Sequence, residues 1–135
     1  MSTITRFEDL EVWQLARKFA AMIYQLTVQE RFSKEYKFKD QIKDSSGSVM
    51  DNIAEGFGRE SRLELINFLG IAKGSLNETR SQLYRAMDYN LITQDIFDIH
   101  YQEAETIAAK IGAFMIYLNK SLIKGQKFKD RNIVK

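Results

Sequence analysis

Residues 62–89, RLELINFLGIAKGSLNETRSQLYRAMDY, decide the fold. Leu69, Leu76 and Leu83 stand seven apart, and so do Leu65, Ala72, Thr79 and Ala86. Seven residues are close to two helical turns, so both series fall along one seam of an α-helix, the core positions of a bundle or coiled coil. A strand would need period two and would end within about ten residues. Ser61 precedes the seam and Glu64 stands three residues later. That spacing is a capping box, in which the two residues satisfy each other's free backbone amides. Asn90 reads as a left-handed stop and Thr93 as the cap of a further helix.

The same periodicity extends outward in both directions. Residues 34–57 carry a stripe of Phe38, Ile42, Ser45, Val49, Asn52, Ile53 and Gly56, rich in small side chains, which implies close approach by a neighbouring helix; Gly56 and Gly58 read as its stop. In residues 9–28, Val12, Ala16, Phe19, Ile23 and Leu26 recur at spacings of four and three, with Asp9 as cap. Arg31-Phe32-Ser33 breaks that pattern, and Ser33 is placed to cap the second helix. Residues 94–123 repeat the heptads through Phe97, Ala104, Ile111 and Leu118, and through His100, Ile107, Phe114 and Ser121; Gly125 is expected to end them. Long helices with short loops make antiparallel neighbours. The expectation is therefore all-α: an antiparallel up-down-up-down four-helix bundle over residues 1–124, with a basic, flexible tail over 125–135. Composition agrees, since the 135 residues include no proline and only seven glycines, too few for the frequent turns of a β-fold.

The formal net charge is only +2, but from Lys120 onward six basic residues face one acid, so residues 1–119 sum to −3. Without cysteine there is no disulfide, no thiolate nucleophile and no cysteine metal site. No run approaches the roughly 20 apolar residues that span a bilayer, and the first nine residues lack the apolar core of a secretion signal. A cytoplasmic chain with no membrane role is expected.

Two helices are more apolar than one core requires. Leu15, Met22, Trp13, Ala20 and Tyr24 widen the apolar arc of the first to about 200°, against a little over 100° for an ordinary surface helix. The run Phe114-Met115-Ile116-Tyr117-Leu118 forces Ile116 away from the core of the fourth. Self-association is the expectation.

Catalytic chemistry is not apparent. Carboxylate-bridged metal sites of bundles need Glu-x-x-His pairs, yet the single histidine, His100, has Phe97 three residues before it. Glu55 and Glu78 interrupt small or apolar stretches, but about 20 Å of helical rise separates them along the hairpin, too far to share one substrate. Asn52, Glu55, Ser75 and Glu78 are read as structural polar anchors. No metal, cofactor or small-molecule substrate is expected, and the chain is read as a non-enzyme.

Basic residues interleaved with aromatics mark the candidate binding surface. Lys34, Lys37, Lys39 and Lys43 surround Tyr36 and Phe38; Lys124, Lys127, Lys129 and Arg131 lie in the tail; Arg59 and Arg62 flank the hairpin turn. Lysine engages phosphates and aromatic rings stack bases, and an oligomer would repeat the patch.

Residues 41–83 also carry a family resemblance. Gln41-Ile42, Ser48-Val49, the stretch Asn52-Ile53-Ala54-Glu55-Gly56-Phe57-Gly58-Arg59, and Ile71 to Glu78 with Gln82-Leu83 beyond it resemble the signature of the bacterial four helix bundle proteins. These are also called 23S rRNA intervening-sequence proteins or the S23 family. Phe7-Glu8-Asp9-Leu10-Glu11-Val12-Trp13 fits as well, so the likeness spans most of residues 7–120. It departs at Ser33, where members usually carry proline, and at Lys43-Asp44, where they tend to have arginine-alanine. The resemblance implies a bundle without established activity. A relative, the accessory variability determinant protein of diversity-generating retroelements, forms a pentameric ring that binds nucleic acid and a reverse transcriptase. By that likeness a ring-like homo-oligomer is expected, with RNA, DNA or a polymerase-type protein as partner. A protein–protein adaptor with no nucleic-acid role is the alternative.

Overall fold

The seam of residues 62–89 is buried along its whole length: Leu69, Ala72, Leu76, Thr79, Leu83 and Ala86 are inaccessible to solvent, and Leu65 nearly so. In the computed structural model the backbone is described for residues 4–134 and the side chains for residues 4–123. Among the described residues all regular structure is helical. After a 3-10 turn at Phe7–Asp9 come α1 (Glu11–Thr27), α2 (Glu30–Ser33), α3 (Tyr36–Gly58), α4 (Arg62–Asp88) and α5 (Gln94–Val134). The described residues thus form five α-helices where four were expected: Arg31-Phe32-Ser33, read as a break, closes one extra turn and sinks Phe32 into the core.

The stripes read from the sequence form that core. Val12, Ala16, Phe19, Ile23 and Leu26 of α1 meet Phe38, Ile42, Val49 and Ile53 of α3 and the α4 seam, with Phe97, Ala104, Ile107, Ile111 and Leu118 from α5. α3 packs on α1 and α4, and α5 packs on α4 and α1. Contacts across each pair fix the register. Between α3 and α4, Ser45 meets Thr79 and Gln82, and Ser48 meets Ser75. Between α4 and α5, Arg80 bonds Tyr101, while Arg62 reaches Ser121. Between α1 and α5, Lys110 pairs with Glu11 at 3.2 Å and Lys18 with Glu103 at 3.8 Å.

Several helix ends depart from expectation. The residue before α1 is Leu10, without a side-chain cap; Asp9 lies in the preceding turn, where it pairs with Arg6 at 3.6 Å. The residue before α3 is Glu35, also without a side-chain cap, because the Ser33 hydroxyl donates back to the Glu30 carbonyl within α2. At the α3–α4 turn the left-handed residue is Glu60, at φ 56°, rather than a glycine. Gly56 serves a different purpose: it is buried where Phe68 and Leu65 of α4 press against the α3 backbone. Other ends agree with the sequence. The Glu64 amide donates to the Ser61 hydroxyl at 3.2 Å, Asn90 sits at φ 60°, and the Ile96 amide donates to Thr93 at 3.4 Å. α5 continues past Gly125 to Val134. A single glycine costs a helix only about 1 kcal/mol and does not oblige it to stop.

Ile116 points away from the core, as its neighbours require, and is 59% exposed. The wide arc on α1 has a partly internal explanation. Trp13 is half-buried and packs edge-on against Phe7 of the N-terminal turn, with ring centres 5.1 Å apart.

Candidate nucleic-acid interface

α3 begins where α4 ends, so lysines of one helix face an arginine of the other. Phe38 is the first buried residue of α3 and anchors the junction: it stacks on Phe32 at 5.5 Å and meets Tyr89 edge-on at 5.7 Å. Arg85, in the last turn of α4, lies over Phe38 at 4.6 Å and over Tyr89 at 5.7 Å. Around these rings opens a cleft of about 520 Å³, lined by Lys34, Tyr36, Lys37, Phe38, Arg85 and Tyr89 together with Glu35 and Gln41. The lining carries three cations and one acid. Tyr36 is 71% exposed and Tyr89 49%, large apolar surfaces left in water at the cleft mouth.

The expected lysines are not equally available. Lys34 pairs with Glu30 at 3.8 Å, but both side chains are largely exposed and such a pair holds by about 1 kcal/mol or less. Lys39 donates to the Ser33 carbonyl at 3.1 Å and sits 5.2 Å over the Tyr36 ring, so it steadies that tyrosine. Lys43 lies over Tyr24 of α1 at 5.7 Å and ties two helices together. Lys34 and Lys37 line the cleft itself.

Arg59 and Arg62 stand elsewhere. About 23 residues of α3 separate Tyr36 from Arg59, roughly 35 Å of helical rise, so the hairpin turn lies at the far end of the bundle. There Arg59 pairs with Glu55 at 3.1 Å and stacks over Phe68 at 5.1 Å, and Arg62 donates to Ser121 of α5. The side chains of Lys124, Lys127, Lys129 and Arg131 lie outside the described residues.

Of the four residues read as polar anchors, two serve the α3–α4 contact. Ser75 donates across it to Ser48 at 3.0 Å, and the Asn52 amide holds Ser48 from within α3, donating to its carbonyl and hydroxyl, both at 2.8 Å. Glu55 faces solvent and is bonded within its own helix to Arg59. Glu78 is exposed on the rim of a shallow groove beside Asp44 and Ser48. The buried polar centre of the α3–α4 contact is instead Ser45, Thr79 and Gln82.

Sequence reasoning missed Arg85, Tyr89 and Gln41. Arg85 and Tyr89 are about fifty residues from Lys34 along the chain, and only the pairing of α3 with α4 brings them together. One local signal pointed to them: a cation and an aromatic four apart at a helix C-terminus share a face.

Among the described residues no helix is long and apolar enough to cross a membrane, and no group of histidine, aspartate and glutamate is placed to hold a metal ion.

The chain is similar to a solved crystal structure, that of a protein with unknown function from the S23 ribosomal protein family of Bacteroides thetaiotaomicron. The two share 28% identity with a TM-score of 0.71, over 77% of this chain and 97% of the other. No curated protein matches the chain. The family described as 23S rRNA-intervening sequence protein matches residues 8–113, most of the helical core and all of the cleft, and the chain belongs to that family.

Proposed function

We propose that this protein is a non-enzymatic, cytoplasmic, homo-oligomeric scaffold that binds RNA or DNA, alone or with a nucleic-acid-processing partner. The observation that carries this reading is the cleft at the start of α3, where Lys34, Lys37 and Arg85 converge beside exposed tyrosines. Three cations against one acid favour a polyanion, and rings among them favour one with flat, stackable groups.

The subunit is best described as an antiparallel up-down-up-down bundle of α1, α3, α4 and α5, with α2 a one-turn connector. Paired residues whose numbers rise in one helix as they fall in its neighbour support that order, as Glu11–Lys110 and Lys18–Glu103 do. Self-association is supported chiefly by α5, where Ile99, Ile116, Tyr117 and Ile123 are between 45% and 60% exposed. Repetition of the cleft in an oligomer would add avidity that one modest patch lacks.

The test is fluorescence anisotropy with a labelled RNA at about 50 and 200 mM salt. Three phosphate contacts per subunit should weaken binding by about 20- to 40-fold over that range, and more where several clefts engage one strand. Lys37→Glu, at an exposed position, should weaken binding further at either salt. Salt-independent binding, or none at the lower salt, would refute the reading.

A second reading, a protein adaptor, is favoured by one observation. Beside α2 lies a larger cleft of about 750 Å³ with Leu26, Met87, Leu91, Ile92 and Ile96 in its walls. It would be supported by a defined protein partner whose binding survives nuclease and high salt and is lost in Met87→Glu.

A further inference from the structure

The cleft at the start of α3 contains more than cations, and what it adds discriminates between kinds of nucleic acid. We infer that it holds a single-stranded segment, with an unpaired base stacked on Tyr36 and the flanking phosphates on Lys34, Lys37 and Arg85. The inference rests on the nucleic-acid reading above and specifies its ligand.

Two features point to a single strand. A duplex buries the faces of its bases and offers phosphates and groove edges, which cations alone can meet. Two tyrosines 71% and 49% exposed at the mouth of a concave site would then have nothing to stack on. An unpaired base presents its π-face to such rings, and this works for any base. The cleft is open, and its volume of about 520 Å³ leaves room beside the ring for one splayed-out base.

The rings and one of the three cations have contacts that hold them. Lys39 sits 5.2 Å over Tyr36 and restrains it, and Phe38 packs edge-on to Tyr89 at 5.7 Å. Arg85 lies over Phe38 at 4.6 Å, which places its guanidinium at the cleft wall, and it has no acidic partner among the described residues. Preorganised groups lose little conformational freedom on binding. The backbone adds to the positive potential: α3 starts here with no acidic residue in its first turn and no side-chain cap. Its first amides therefore stay free to point at a phosphate. Glu35 is the one opposing charge among the lining residues.

The experiment uses the full chain and two labelled probes at about 50 mM salt: an unstructured RNA 12-mer, and the same strand annealed to its complement. The single strand should bind at least about tenfold tighter. Loss of one base stack should weaken it by roughly 5- to 150-fold in Tyr36→Leu, and leave the duplex affinity unchanged. Tyr36 is the safe position to alter because most of its surface is in water, and an unchanged melting curve verifies the fold. Lys37→Glu should weaken both probes. Equal or tighter duplex binding, or unchanged single-strand affinity in Tyr36→Leu, would overturn the inference while leaving nucleic-acid binding intact. If neither probe binds, the broader reading fails first. Displacement of the strand by uridine monophosphate or by polyglutamate at equal concentrations per site would also overturn it, making the cleft a nucleotide pocket or a seat for an acidic protein.

Discussion

Replacing Gly56 with alanine would place a new Cβ 2.5 Å from the Cβ of Phe68 and 3.3 Å from both Phe68 Cγ and Leu65 Cδ1. The nearest atom is next to the α4 backbone, not at the free end of a side chain, so a rotamer change cannot make room and the two helices must separate locally. Overpacking of this kind costs about 1–3 kcal/mol. Alanine gains about 1 kcal/mol over glycine in a helix interior, which offsets part of it. The net expectation is a loss of up to about 2 kcal/mol. With an unfolding entropy of about 2.1 cal/mol/K per residue, a 135-residue chain would then melt up to about 7 °C lower. Gly47 and Gly74 supply the control, because a Cβ at either meets nothing within 4 Å. Gly74→Ala should therefore stabilise by up to about 1 kcal/mol through the same propensity term. Urea denaturation and calorimetry of the variants give the comparison. Because the clash is with Phe68 Cβ, Phe68→Ala keeps the offending atom and should not rescue Gly56→Ala. If Gly56→Ala stabilises the chain as Gly74→Ala does, the close approach of α3 and α4 is wrong.

The polar and exposed contacts are open to the same kind of test. The Ser45 hydroxyl donates to Gln82 Oε1 at 2.5 Å inside the α3–α4 contact, so Ser45→Ala leaves a buried acceptor unpaired and should cost about 1–3 kcal/mol in urea denaturation. The triple change Ser45→Ala, Thr79→Val, Gln82→Leu removes donors and acceptors together and should recover most of that loss. Tyr84 is held above the ordinary tyrosine pKa of 10.0, first by its hydrogen bond with Tyr101 and then by the charge on that phenol. Its neutral form is the one the fold favours, so its contribution is complete below pH 10 and is lost as pH rises through the raised value. Absorbance titration at alkaline pH should show one tyrosine returning toward 10 in Tyr101→Phe. Ile116→Glu should lower the sedimentation coefficient while leaving helicity unchanged, if α5 carries the self-association surface; an unchanged oligomer would move the interface elsewhere.

Helix positions were legible because they are set by local periodicity. Leu69, Leu76 and Leu83 announce a buried seam wherever the helix lies, and all three are inaccessible. Helix ends were read less well, because several residue types can satisfy one terminus. Asp9 and Ser33 have the right chemistry for caps, but each sits a residue or two early and finds a nearer partner in its own turn. Glycine was read in part. The small-residue stripe through Gly56 does meet α4 closely and α3 does end at Gly58, but glycine also permits a left-handed turn, and the sequence does not say which residue takes that conformation. The structure assigns the turn to Glu60 and the close approach to Gly56.

The candidate site is non-local, and that limits what composition could reveal. Lys34, Tyr36 and Lys37 were found as a cluster because they are neighbours in sequence, yet the cleft needs Arg85 and Tyr89 from the far end of α4 to close it. The same cluster also contributed lysines that are otherwise engaged: Lys39 on Tyr36 and the Ser33 carbonyl, Lys43 on Tyr24. Charge counted along a chain overstates a binding surface wherever cations cover the protein's own rings, and understates it where two helix ends meet. The case for an oligomer shifts in the same way. Trp13 is partly covered by Phe7 of the same chain, so part of the excess on α1 is accounted for internally, whereas Ile116 and Tyr117 on α5 remain in water. A partner surface is therefore better sought on α5, and a ligand surface at the junction of α3 and α4.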